Sequence, residues 1–140
     1  MQEAGNKAQG AGNKEQGAGN KGQVAGSIGR WVLVAVWMGV IFWFSAQPQA
    51  ALNLGQPEFL GKAAHVAEYA ILGWLIQRAR GDRRAWWQSW LIAILYAATD
   101  EFHQSFTPGR TPRVTDVMID AVGAAMGMVV AIRRATTNSG

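Results

Sequence analysis

The sequence predicts an all-α integral membrane protein, a four-helix bundle with both termini cytoplasmic and a disordered N-terminal tail. Three observations carry that prediction. Four apolar runs, starting at Trp31, Ala63, Ala85 and Val117, are separated by short polar connections. Lys and Arg gather at three places beside those runs. The mean hydropathy of 0.00 averages a hydrophilic leader with a very apolar remainder. The chain has 140 residues and no Cys, which excludes disulfides, thiolate catalysis and zinc–thiolate sites. Its formal charge is +4, and basic clusters that flank apolar runs favour a membrane over nucleic acid, so no nucleic-acid partner is expected.

The leader is a tandem repeat: AGNKAQG, AGNKEQG and AGNKGQV over Ala4–Val24. Its seven-residue period lacks the apolar seam of a coiled coil. Too little apolar surface is available to offset the chain entropy, so residues 1–27 are expected to be a disordered cytosolic tail. The bundle then occupies 28–134, with a second disordered tail at 135–140.

The first run, Trp31–Ala46, carries no charge and with Ile28–Arg30 is long enough to cross a bilayer core of about 30 Å. A signal peptide is the rival reading, but SAQPQAA offers no convincing cleavage site. This helix should end at Gln47-Pro48. The second run, Ala63–Gln77, is interrupted by His65 and Glu68; the third covers Ala85–Thr99; the fourth covers Val117–Ile132, with Asp120 near its start. Each is marginal alone, and together they make sense if charged residues extend the helix ends into a watered vestibule.

The basic residues set the orientation. Lys21 and Arg30 precede the first run, Arg78, Arg80, Arg83 and Arg84 join the second to the third, and Arg133 and Arg134 follow the fourth. The positive-inside rule places all three groups in the cytoplasm, giving a multi-pass protein of the cell membrane with four spans. Trp86, Trp87 and Trp90 then start the third span at the level of an aromatic belt. As a corollary, the polar residues of two loops, about 47–62 and 101–115, gather toward the external leaflet. ATP or NAD as a diffusing cofactor is not expected there, and no cofactor is called for.

Helical spacing sorts those polar residues. Lys62, His65 and Tyr69 share a face, with Glu68 beside it. Tyr96, Asp100, His103 and Gln104 form a stripe on the third helix, and Asp116, Asp120, Gly123 and Gly127 on the fourth. Gly123-x-x-x-Gly127 permits close helix approach, within the bundle or between protomers, so a homo-oligomer stays open.

These same residues carry a resemblance. GKAAHVAEYAILGWL (Gly61–Leu75), YAATDEFHQSFTPGR (Tyr96–Arg110) and TDVMIDAVGAAMG (Thr115–Gly127) resemble the VanZ-like membrane protein family. That family has a K-x-x-H-x-x-x-Y helix, a D-E-x-x-Q-x-F-x-P-G-R segment and a D-x-x-x-D/N-x-x-G-x-x-x-G helix, all present here in order. The resemblance covers roughly Trp31 to Arg134. It implies functional roles for Lys62, His65, Tyr69, Asp100, Glu101, Gln104, Pro108, Gly109, Arg110, Asp116 and Asp120. It also implies a link to resistance against the glycopeptide teicoplanin, with no established reaction.

Two classes of function follow. In an enzyme, Arg110, Arg113 and Lys62 would bind a phosphate or carboxylate of an envelope molecule. His65 or His103 would move the proton, tuned by Asp100 or Glu101, with Asp116 and Asp120 orienting the His or the Arg. The partner would be a membrane lipid or a lipid-linked cell-wall precursor. In a binding or assembly protein the cluster is structural: Arg110 folds back on Asp100, Asp116 or Asp120 and closes the bundle. His65, Asp100, His103 and Asp116 have the chemistry of metal ligands, but their spacing is weak and no metal is assigned. Ser45 and Ser105 lack a nucleophile elbow, and no inverted repeat marks a transporter.

Overall fold

The computed structural model describes residues 2–48 and 58–137, with side chains from 23 and from 59 onward in the two stretches. Among the described residues four helices follow one another: α1 Gln2–Ser45, α2 Glu58–Arg80, α3 Trp86–Gln104 and α4 Val114–Thr137. No strand occurs among the described residues. The helices run past the apolar runs at most of their ends, as expected where charged residues extend them. The side chains of the expected leader before Gln23, and most of the loop at 47–62, lie outside the described residues. Helix α1 passes without a break through the expected tail boundary at 27, and α4 runs beyond 134 to Thr137. Both apolar helices therefore continue into the polar sequence beside them.

Two glycines with positive φ shape the connections. Gly81, at φ 73°, ends α2 with its N–H on the Gln77 carbonyl at 3.1 Å, the left-handed stop that a Cβ disfavours. Asp82 then turns the chain, its Oδ1 accepting from the Arg84 N–H at 2.8 Å. Gly109, at φ 80°, follows Pro108, and the Arg110 N–H closes on the Thr107 carbonyl at 3.1 Å. Pro then a positive-φ Gly is the signature of a type II turn. That turn reverses the chain over the end of α3.

The tightest seam joins α2 to α4. A Cβ on Gly123 would lie 2.5 Å from the Val66 carbonyl oxygen, one on Gly127 1.8 Å from that of Ala70, and one on Gly73 2.2 Å from that of Ala124. The stripe of Gly123 and Gly127 thus serves packing inside the bundle, and Gly73 answers it from α2. Val66 meets Gly123 and, one turn on in both helices, Ala70 meets Gly127, so the two helices are parallel. Around this seam the core is small: Tyr69, Leu72 and Ile76 from α2, Ala93 and Ala97 from α3, Ala124 and Met128 from α4, and Val34 and Ile41 from α1.

Aromatic donors pin the remaining helices. Trp37 Nε1 donates to the Glu68 carbonyl at 2.9 Å, Tyr96 Oη to the Met38 carbonyl at 2.6 Å, and Trp90 Nε1 to the Ala121 carbonyl at 2.9 Å. Trp90 therefore belongs to the α3–α4 contact, while Trp86 and Trp87 remain exposed. The exterior is strongly apolar: Val32, Val36, Trp43, Leu95, Met118, Val122 and Val129 are among many large side chains left exposed, far more than an aqueous monomer tolerates. Among the described residues two helical segments qualify by length and composition to cross a membrane, Gln23–Ser45 and Val114–Thr137.

Candidate functional site

The polar residues meet at the end of the bundle where α1 and α3 finish and α2 and α4 start. Helical phase accounts for the gathering. Asp100 and Gln104, one turn apart on α3, share a face, as do Asp116 and Asp120 on α4. The type II turn carries Arg110 back over the last turn of α3.

Two connected arrangements result. In the first, Arg110 Nη1 donates to Gln104 Oε1 at 2.9 Å, and Gln104 Nε2 donates to Asp100 Oδ2 at 3.1 Å. The amide is the right relay, since its carbonyl accepts from the guanidinium while its NH2 donates to the carboxylate. Asp100 is 3% exposed and Gln104 5%, so a buried acid steers a half-buried arginine through one side chain. The direct pairing of Arg110 with an acid, which the structural reading of the cluster expected, is replaced by a bridge. In the second arrangement, His65 Nδ1 lies 3.2 Å from Asp120 Oδ1. Asp120 is 1% exposed, whereas the His65 side chain is 23% exposed. A carboxylate at Nδ1 fixes the imidazole orientation and leaves Nε2 for other chemistry. The partner of His65 is therefore Asp120, one of the two acids expected to orient the His or the Arg; Asp100 and Glu101, expected to tune it, are bonded elsewhere.

The other candidates divide. Glu101 Oε2 accepts the backbone N–H of Arg113 at 3.0 Å, fastening the start of α4 to α3. Asp116 sits in the first turn of α4, where a negative charge suits the helix dipole. His103 stacks on Phe42 with ring centroids 4.0 Å apart, so it meets α1 rather than the His65–Asp120 pair. Tyr69 is fully buried, its ring 6.3 Å from that of Tyr96. Lys62 and Arg113 are exposed, Lys62 nearly one turn before His65. Among the described residues no three His, Asp or Glu side chains converge so as to hold a metal ion.

Several buried polar atoms find no protein hydrogen-bond partner among the described residues: Asp100 Oδ1, Glu101 Oε1, Tyr69 Oη, Ser45 Oγ and His103 Nε2. The Ser45 hydroxyl faces the Asp100 carboxylate without closing a hydrogen bond of ordinary geometry. Buried polar groups left this way are expensive unless water or a ligand satisfies them. Ser45 and Thr107, both buried, were not among the predicted site residues. Nothing in their local sequence marks them, since one ends an apolar helix and the other opens a turn.

A family model described as VanZ/LLP1 matches residues 30–135. The chain belongs to the VanZ/LLP1 family. The matched stretch takes in the whole polar cluster and both glycine contacts of α4, and it leaves out the repeats of the leader. No curated protein and no solved structure matches the chain. Membership of the VanZ/LLP1 family, together with two helices apolar enough to span, marks a membrane protein.

Proposed function

We propose that this VanZ/LLP1 protein spans the membrane four times with both termini in the cytoplasm, and that its polar cluster binds, or acts on, an anionic cell-envelope or lipid-linked molecule at the external face. The observation that carries this reading is the chain Asp100–Gln104–Arg110, which holds a guanidinium at the rim of a buried acidic interior. Arg can bind a phosphate or carboxylate through two parallel hydrogen bonds. Beside it, the His65–Asp120 pair has the build of a positioned proton-transfer group. The grouping of arginines at the opposite end supports the orientation: Arg30 Nη1 donates to the Arg78 carbonyl at 3.2 Å and Arg83 Nη2 to the Ala135 carbonyl at 3.4 Å. Capture of an envelope anion near the external face would reduce glycopeptide access to its target, in keeping with a role in teicoplanin resistance.

The alternative is a scaffold whose charges only close the bundle, a view favoured by Glu101, which is engaged with the Arg113 backbone. Binding to phosphatidylglycerol in nanodiscs separates the two. For a binding protein, Arg110→Lys loses affinity while the fold persists, because the bidentate geometry is gone. If Arg110→Gln binds as wild type does, the scaffold reading stands. Reporter fusions at Ser139 and Gln56 test the orientation, with Ser139 expected inside and Gln56 outside.

A further inference from the structure

Away from the polar cluster, a groove of about 800 Å³ runs along α4 beside α3. Its wall is hydrocarbon for most of its length: Val114, Met118, Val122, Ala125 and Val130 from α4, with Trp90 from α3. The Trp90 indole N–H is already bonded to the Ala121 carbonyl, so even the indole offers no polar contact. From Val114 to Val130 the helix rises roughly 24 Å at 1.5 Å per residue, more than one leaflet's share of a core about 30 Å thick. The groove is floored by Ala121 and Ala125, whose small side chains leave room for an occupant.

One end of the groove is chemically unlike the rest. Val114, at one end of the lining, follows Arg113, an exposed residue whose backbone N–H is fastened to Glu101 Oε2. Arg110 lies three residues earlier, at the end of the type II turn. A cation next in sequence to the end of a long apolar channel complements an amphiphile with an anionic head and a long tail. We propose that the α3–α4 groove seats the hydrocarbon chain of an anionic lipid whose phosphate lies at Arg113. This rests on the reading of the cluster as an anion site and narrows its ligand to a membrane-resident amphiphile.

The test uses the full chain and two probes, long-chain phosphatidylglycerol and its dihexanoyl form, with binding followed by native mass spectrometry. Ala125→Trp fills the groove, and Val122→Trp does so from a more exposed position that is better placed to tolerate the bulk. Both should weaken the long-chain lipid by about tenfold or more, the equivalent of roughly two methylenes left unburied. Binding of the dihexanoyl probe should stay as in wild type, and Arg113→Gln should weaken both probes. Should long-chain binding survive both Trp variants while Arg113→Gln still lowers it, the chain lies elsewhere and only the anion site remains. Should Arg110→Gln and Arg113→Gln leave both probes bound as before, the reading of the cluster itself fails. A change of oligomeric state in the Trp variants without loss of lipid would assign the groove to a second copy and overturn the proposal.

Discussion

At the end where α3 begins and α2 and α4 finish, Arg30 and Arg83 lie at the surface and donate to backbone, while the half-buried Arg80 donates to the Gln88 side chain. Arg30 reaches the Arg78 carbonyl and Arg83 that of Ala135, both in last turns of helices, where cations suit the helix dipole. At the opposite end Asp100, Glu101 and Asp120 are buried, and each is managed by a specific side-chain or backbone donor: His65 for Asp120, Gln104 for Asp100, the Arg113 N–H for Glu101. The difference lies in solvation. An exposed arginine is satisfied by water and by any nearby carbonyl, so its exact partner matters little. A buried carboxylate has no such choice, and its partner fixes the geometry of its surroundings. The first end fits the requirements of placement in a membrane, and the second has the specificity a binding site needs.

The largest effect should come from the seam that keeps the two ends in register. Gly127→Leu puts side-chain atoms against the Ala70 carbonyl, where a Cβ alone would stand 1.8 Å away. Overpacking of that kind costs about 1–3 kcal/mol, and more against backbone. Thermal unfolding in detergent should collapse, and membrane abundance with it. Gly39, in α1, meets nothing within 4 Å, so Gly39→Ala is the control and should leave both readings intact.

Next comes the bridge. Gln104→Leu deprives a buried carboxylate oxygen and a guanidinium of their shared partner at once, a loss of about 1–3 kcal/mol. It should abolish anion binding even where folded protein is recovered. Were binding to survive it, Arg110 would not depend on Asp100 for its position. The pair His65–Asp120 sharpens the question of chemistry. His65→Asn keeps a polar side chain and should be mild for binding. If envelope lipids change composition when wild type is expressed but not with His65→Asn at equal abundance, the site is catalytic.

The smallest effect belongs to the arginine end. Arg83→Ala removes an exposed donor and should move stability by no more than about 0.5 kcal/mol. Equal damage from Arg83→Ala and Gln104→Leu would erase the contrast between the ends.

Much of this was legible in the chain. The heptad-length repeats, the four apolar runs, the three basic groups and the Gly123–Gly127 stripe all lie along the sequence, and helical periodicity converts such spacing into faces. That Arg110 would need an acid nearby followed from the cost of its environment. Which group met it did not. The direct ion pair that the structural reading gave Arg110 became a bridge through Gln104, because the turn at Pro108-Gly109 delivers the guanidinium above Gln104. Asp120 took His65 because parallel packing of α2 on α4 sets His65 beside Asp120, next to the Val66–Gly123 contact. Trp90, legible as a belt residue, instead crossed to Ala121.

The sequence by itself determined which residues share a helix face and which end of each helix is polar, since a 3.6-residue repeat depends on local geometry alone. Tertiary structure decided which faces meet, hence every partner in the cluster and the groove beside α4. Those outcomes depend on how helices rotate and cross, and close contacts such as Gly73 with Ala124 set that rotation through atoms far apart in the chain.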